Sequence, residues 1–169
     1  PAAPDTTIRL AVDNLTHHFD DLLQPAYTAN LQQLGGAFTI RRRDGLFAYH
    51  LACAVDDAEL GMTHVLRGAD LLMSTPQQVW LLQRLGHAHP CYGHLPLLVE
   101  NELKLGKSCG SAAIDDRQPA TTLLRALTAL NQAPPMSLHH ASTADILDWG
   151  VANWSRDRLP IRPINIEQV

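Results

Sequence analysis

Both ends of one helix are written into residues 75–86, and apolar runs flank it on either side. Thr75 can cap, Pro76 suits the first helical position, and Gln78 completes a capping box. Gly86 fits the stop after Leu85. Upstream, the almost wholly apolar LFAYHLACAVDD (46–57) reads as a strand covered on both faces, and GMTHVLRG as a short strand ending at Gly68. Downstream, HLPLLV (94–99) reads as the next buried strand. A strand–helix–strand unit over 46–99 restricts the fold more than any other feature. Strands joined through a helix run parallel, and parallel sheets need cover on their faces. The expected class is α/β.

Around this unit the texture changes. IRLAV (8–12) alternates like a short strand. THHFDDLLQ through TANLQQLGG can hold two more short strands or a broken helix. AFTIRRR (37–43) with Asp44-Gly45 reads as the first arm and turn of a hairpin whose second arm is 46–57. Pro119 opens a helix with Leu123, Leu127 and Leu130 on one stripe, broken by 131–135. Ser142 with Asp145 opens another, with Leu147, Val151 and Trp154 at i, i+4 and i+7. The tail RLPIRPINIEQV is punctuated by proline and extended. The first two thirds are therefore strand-rich and the last third helical.

Composition removes several classes. A formal net charge of −4 argues against nonspecific nucleic-acid coating, which needs a broad cationic surface. No apolar stretch approaches the ~20 residues of a membrane span, and no signal peptide is evident. Cys53, Cys91 and Cys109 are too few and too scattered for a disulfide framework, so a cytoplasmic, reduced setting is expected. The chain begins at Pro1 rather than Met, which reads as a processed product or a piece of something longer.

Most chemical motifs have an ordinary explanation. A phosphate loop ending in Gly106-Lys107-Ser108 would need Gly at 101, where Asn101 stands. His87, His89, Cys91 and His94 lie close together but match no common zinc spacing, and loop histidines after a helix end suit its dipole. Cys53 falls in the apolar run as a small filler; Cys109 lies near Lys107 without a base placed by sequence. Asp56-Asp57 ends the run, a position where α/β proteins put ligand groups or a plain turn. Arg41, Arg42 and Arg43 either touch phosphates or line a solvated edge.

Lys104-Leu105-Gly106-Lys107-Ser108 is different because of its surroundings. It resembles the KMSKS loop of class I aminoacyl-tRNA synthetases. RRRDGLFAYHLACAVDDAELGMTHVLRGADLLMSTPQQVWLLQRLG, then HLPLL, then the lysine loop, is similar in order and spacing to the glutamyl class. RRRDGLFAYHLA, VDD, RGADLL and the late DILDWGVANW resemble the glutamyl-Q tRNA(Asp) synthetase family more than full glutamyl-tRNA synthetases. The resemblance is tight over 37–108 and loose over 1–36 and 118–160. It implies activation of glutamate by ATP, as its magnesium complex, without need of tRNA, and transfer to queuosine in the anticodon of tRNA(Asp). It also implies residue roles. Tyr49 and Arg67 match glutamate-binding positions, Lys107 with Lys104 the catalytic lysine loop, and Lys107 with His94 the ATP side. An Arg can hold a carboxylate bidentately and a Tyr can orient it. A lysine can neutralise charge growing on the phosphates.

The resemblance also sets boundaries. Residues 1–36 are expected to be a remnant of the inserted or connecting region. Residues 37–115 are expected to be the second half of the Rossmann-type catalytic domain, and 116–169 a small helical C-terminal region. The family's first half, with its HIGH-type ATP motif and zinc cysteines, is not in these residues. No zinc is expected here, and the isolated chain is expected to be inactive. Two departures touch the loop: Gly106 stands where the family has Ser, and the preceding Glu100-Asn101-Glu102 turn lacks the usual Gly. A sheet lacking its first strands would need the missing half, or self-association, as cover. The alternatives are a fragment of a glutamyl-tRNA synthetase, and a non-enzymatic module that binds a partner or RNA.

Overall fold

The strand–helix–strand unit exists, but its first strand starts later than the apolar run suggests. The computed structural model describes residues 5–106, 110–111 and 113–168. Strand β1 (Ile8–Leu10) pairs antiparallel with β4 (Phe38–Arg41), and β2 (Thr16–Phe19) pairs antiparallel with β3 (Tyr27–Asn30). The Asp44-Gly45 turn forms, with Gly45 at φ +86° and an Arg42–Asp44 ion pair at 2.7 Å. The return arm, however, is a single bridge, Arg41 to Phe47. The chain then enters helix α1 (Tyr49–Glu59). The expected second strand is thus a helix. Leu51, Ala54 and Ala58, three and four apart, pack into one core cluster with Trp80, Leu81 and Leu82. That is helical periodicity, and the alanines favour it. Cys53 and the Asp56-Asp57 pair accordingly lie on a helix and not on a strand.

The parallel pair is β5 (His64–Gly68) and β6 (Cys91–Leu95), joined through α2 (Thr75–Leu85). Gly86 closes α2 in the left-handed conformation, φ +80°, as its position predicts. The capping box at its start does not form. The residue before the helix, Ser74, makes no side-chain cap, and Thr75 and Gln78 direct their polar atoms to Arg67. The buried strand expected at 94–99 is two strands in two sheets. Pro96 cannot donate to a ladder; β6 ends at Leu95, and β7 (Leu98–Glu100) starts a new sheet.

Residues Pro1–Leu95 form one compact unit. A second cluster, Phe19, Ala29, Val79 and Tyr92, continues its interior. Trp80 Nε1 donates to Asp13 Oδ2 at 3.0 Å, which ties α2 to the segment after β1.

Residues Pro96–Val169 form the other unit. Here β7 pairs antiparallel with β8 (Leu103–Lys104) across a two-residue turn, Asn101-Glu102, both at positive φ. Helix α3 (Pro119–Ala129) opens on Pro119 as expected. Helix α4 (Thr143–Asn153) carries the full Ser142–Asp145 capping box. Its contacts use Ile146, fully buried, and Gly150, whose missing Cβ lets Leu127 approach. The Leu147, Val151 and Trp154 stripe is exposed instead. Strand β9 (Ile164–Asn165) pairs parallel with β7, so the extended tail becomes the third strand of this sheet.

Candidate active site

Register builds the site. In the β5–β6 pair Arg67 lies directly opposite His94. Arg67 Nε donates to His94 Nε2 at 3.0 Å. Its Nη1 donates to Gln78 Oε1 at 2.6 Å. Its Nη2 donates to Thr75 Oγ1 at 2.7 Å and, at a long 3.4 Å, to the Leu71 carbonyl. The guanidinium carbon stands 4.9 Å from the centre of the Tyr92 ring, a cation–π contact on a buried aromatic. Thr75 and Gln78 are three residues apart, so the first turn of α2 presents both to one cation. Four of the five N–H groups are engaged. A carboxylate reaching Arg67 meets one remaining Nη1–H and, by displacing the long Leu71 contact, an Nη2–H. A fork that includes Nε is closed by His94.

His94 is fully buried, and Nδ1 lies 2.5 Å from Asp21 Oδ2. Both ring nitrogens are occupied within the protein. Burial by itself would raise the Asp21 carboxyl. Hydrogen bonds from the His94 ring and from the backbone of Leu23, Gln24 and His94 outweigh it, and the carboxyl lies below its ordinary value. Gln24 Nε2 adds a bond to the His94 carbonyl at 2.8 Å.

Tyr49, half exposed at the start of α1, lies beside Arg67 and Cys53. Burial and the neighbouring thiol push its phenol up, and the Arg67 charge opposes them. Burial raises Tyr92 to about 12 against the same opposing charge. His50 is held down by burial and by Arg67. Asp57 is raised by burial, partly offset by Arg67. Burial is the leading influence on each of these groups, and the Arg67 charge acts on all four. Among the described residues, His50 Nδ1, Gln78 Nε2 and Tyr92 Oη are buried without a protein partner. Two of these three side chains touch Arg67, so the wall has more polar capacity than the protein itself uses.

The two expected glutamate positions, Tyr49 and Arg67, are thus brought together. Lys104 lies in the other unit, exposed on β8. Lys107, with Ser108 and Cys109, lies outside the described residues. Gly106 and Ser111 are bonded to each other, N–H to Oγ at 3.0 Å and, in return, N–H to O at 3.3 Å. The histidine-rich loop is divided: His94 turns inward to Asp21, while His87, His89 and Cys91 are exposed. Among the described residues, no group of three or more His, Cys, Asp or Glu is placed to hold a metal ion. No helix among them is long and apolar enough to cross a membrane.

Asp21, Thr75, Gln78 and Tyr92 were not legible as site residues. Thr75 and Gln78 had a sufficient local explanation as a cap. Asp21 sits where the sequence left strand and broken helix open, 73 positions from its partner. Nothing local signals that pairing.

Residues 2–118 match the family model for class I tRNA synthetases (E and Q), catalytic domain. The glutamyl-Q tRNA(Asp) synthetase of Ectopseudomonas mendocina (strain ymp) is 49% identical over 157 residues, covering 92% of this chain and 53% of that protein. That of Methylococcus capsulatus (strain ATCC 33009 / NCIMB 11132 / Bath) is 44% identical over 161 residues, covering 95% and 53%. The chain spans about half the length of the curated relatives it matches. A glutamate tRNA ligase from Elizabethkingia meningosepticum CCUG26117, solved in complex with its amino acid, shares the fold. Its TM-score is 0.71 at 20% identity, over 95% of this chain and 36% of that one. The glutamate-tRNA synthetase of Elizabethkingia anophelis gives 0.69 at 19%, over 94% and 36%.

Proposed function

Because the chain belongs to the family of class I tRNA synthetase catalytic domains (E and Q), we propose that it is the C-terminal portion of a glutamyl-Q tRNA(Asp) synthetase-like ligase. The complete protein activates glutamate with ATP and transfers it to queuosine of tRNA(Asp). In the first step a carboxylate oxygen of glutamate attacks the α-phosphorus, and pyrophosphate leaves. In the second a queuosine hydroxyl attacks the activated carbonyl, and AMP leaves. Magnesium accompanies ATP as part of the substrate.

The observation that carries this reading is Arg67, beside Tyr49 on a buried polar wall. Arg67 takes a glutamate carboxylate through its remaining donors, and the Tyr49 hydroxyl orients it. Lys107, with Lys104 in support, neutralises charge that grows on the phosphates as the α-phosphorus is attacked. Relatives named glutamyl-Q tRNA(Asp) synthetase at 44–49% identity support the choice within the family.

The test is acceptor specificity. The complete protein carrying this chain should attach labelled glutamate to tRNA(Asp) that contains queuosine and not to the same tRNA made without the modification. Equal labelling of both, or labelling of tRNA(Glu) instead, would move the chain to the glutamyl-tRNA synthetase branch.

A further inference from the structure

Asp21 and His94 lie behind Arg67 and belong to none of the substrate contacts assigned above. Their side chains are 2% and 0% exposed. The protonation of the ring follows from its neighbours. Arg67 Nε can only donate, so His94 Nε2, 3.0 Å away, presents its lone pair. A neutral imidazole with a bare Nε2 carries its proton on Nδ1, and Nδ1 faces Asp21 Oδ2 at 2.5 Å. The carboxylate therefore selects the tautomer. It is itself immobilised, because Oδ1 accepts from three backbone N–H groups, those of Leu23, Gln24 and His94. Thr75 Oγ1 closes the junction, accepting from Arg67 Nη2 at 2.7 Å and lying 3.1 Å from His94 Nε2.

We propose that Asp21 and His94 are a positioning pair for substrate recognition: Asp21 fixes the His94 tautomer, and His94 Nε2 fixes the rotation of the Arg67 guanidinium that receives the carboxylate. The pair rests on the reading of Arg67 as a glutamate ligand. It makes residue 21, in a segment expected to be connecting chain, part of how glutamate is held.

The arrangement fails in one specific way. In Asp21→Asn the amide oxygen stays with the three backbone N–H groups, because only it can accept from them. The NH2 then takes the Oδ2 position and faces Nδ1. Two donors cannot face each other, so the ring proton moves to Nε2. Nε2–H then opposes Arg67 Nε–H, and the guanidinium turns away. The side chain has kept its shape, and no group in contact with substrate has been altered.

The experiment is glutamate-dependent pyrophosphate exchange by the complete protein carrying this chain. Asp21→Asn should raise the KM for glutamate on the order of tenfold to a hundredfold, with the KM for ATP unchanged. His94→Gln places an amide oxygen near the Nε2 position and has no tautomer to set. It should retain most glutamate affinity, and adding Asp21→Asn to it should cause little further loss. Additive losses would mean that Asp21 only holds the 22–24 loop, and would overturn the pair. So would an equal rise in both KM values. Should Asp21→Asn not fold, the ¹⁵N shifts of His94 in the wild-type protein decide. A protonated Nδ1 with a bare Nε2 supports the pair, and a proton on Nε2 overturns it. A wild-type protein without glutamate-dependent exchange, at any tautomer, overturns the functional reading and with it the task assigned to the pair.

Discussion

Arg67 and Lys104 are both cations on β-strands, and their settings are opposite. Arg67 sits on β5 with its guanidinium bound to His94, Gln78, Thr75 and Leu71 and laid on Tyr92. Lys104 is exposed at the end of the two-residue strand β8, beyond a tight turn. A group that must discriminate one carboxylate gains from being oriented before the substrate arrives. A group that answers charge developing on phosphates acts mainly in the transition state, so its worth appears in rate. The proposed roles follow the same division, recognition by Arg67 in the first unit and charge neutralisation by the lysine segment.

The sharpest way to break the contrast is Arg67→Ala. Removing a charge-assisted contact should lower kcat/KM for glutamate on the order of 10²–10³-fold and leave the KM for ATP nearly unchanged. Equal losses for both substrates would make Arg67 a structural residue.

Lys107→Ala should act on the other quantity. The adenylation rate should fall roughly 10- to 100-fold with a smaller change in the KM for glutamate. An unchanged rate would remove the lysine segment from the chemistry.

Stability offers a milder contrast. Gly93 lies between Tyr92 and His94, and a Cβ there would stand 2.7 Å from Leu66 Cδ2 and 3.3 Å from Leu22 and Leu23. Gly93→Val should cost about 1–3 kcal/mol in chemical denaturation. Val151→Thr, on the exposed stripe of α4, should stay within about 0.5 kcal/mol. A large loss at Val151 would show that this stripe is covered.

The smallest expected effect is with pH. Against the opposing effect of burial, hydrogen bonds from the His94 ring and from backbone N–H groups hold the folded Asp21 carboxyl below the ordinary carboxylate range, so it is charged more readily folded than unfolded. Such a group stabilises the fold above about pH 4 and loses that contribution as pH falls through the lowered value. The stability difference between wild type and Asp21→Asn should shrink over that acid window. A difference that stays constant down to about pH 2 would mean the carboxylate charge does not contribute.

Legibility followed the range of the forces involved. The Gly86 stop, the Pro119 start and the Ser142–Asp145 capping box depend on neighbours within four residues, and all stand where the sequence puts them. The run at 46–57 did not, because an apolar stretch rich in alanine satisfies a buried strand and a buried helix equally. Only its packing on α2 decides. Pro96 separates two strands that hydropathy joins. At the site, Tyr49 and Arg67 were legible through resemblance of the surrounding motifs. The supporting bonds from Asp21 and Gln78 were not, because they span 73 positions to His94 and 11 to Arg67 and leave no periodic trace.

The most direct test of the central claim is ATP–pyrophosphate exchange by the complete protein carrying this chain, assayed without tRNA. The account predicts exchange that depends on glutamate, is not supported by glutamine or aspartate, and falls on the order of 10²–10³-fold in kcat/KM for glutamate in Arg67→Ala. Exchange that requires tRNA, that accepts glutamine equally, or that is undiminished in Arg67→Ala would contradict it.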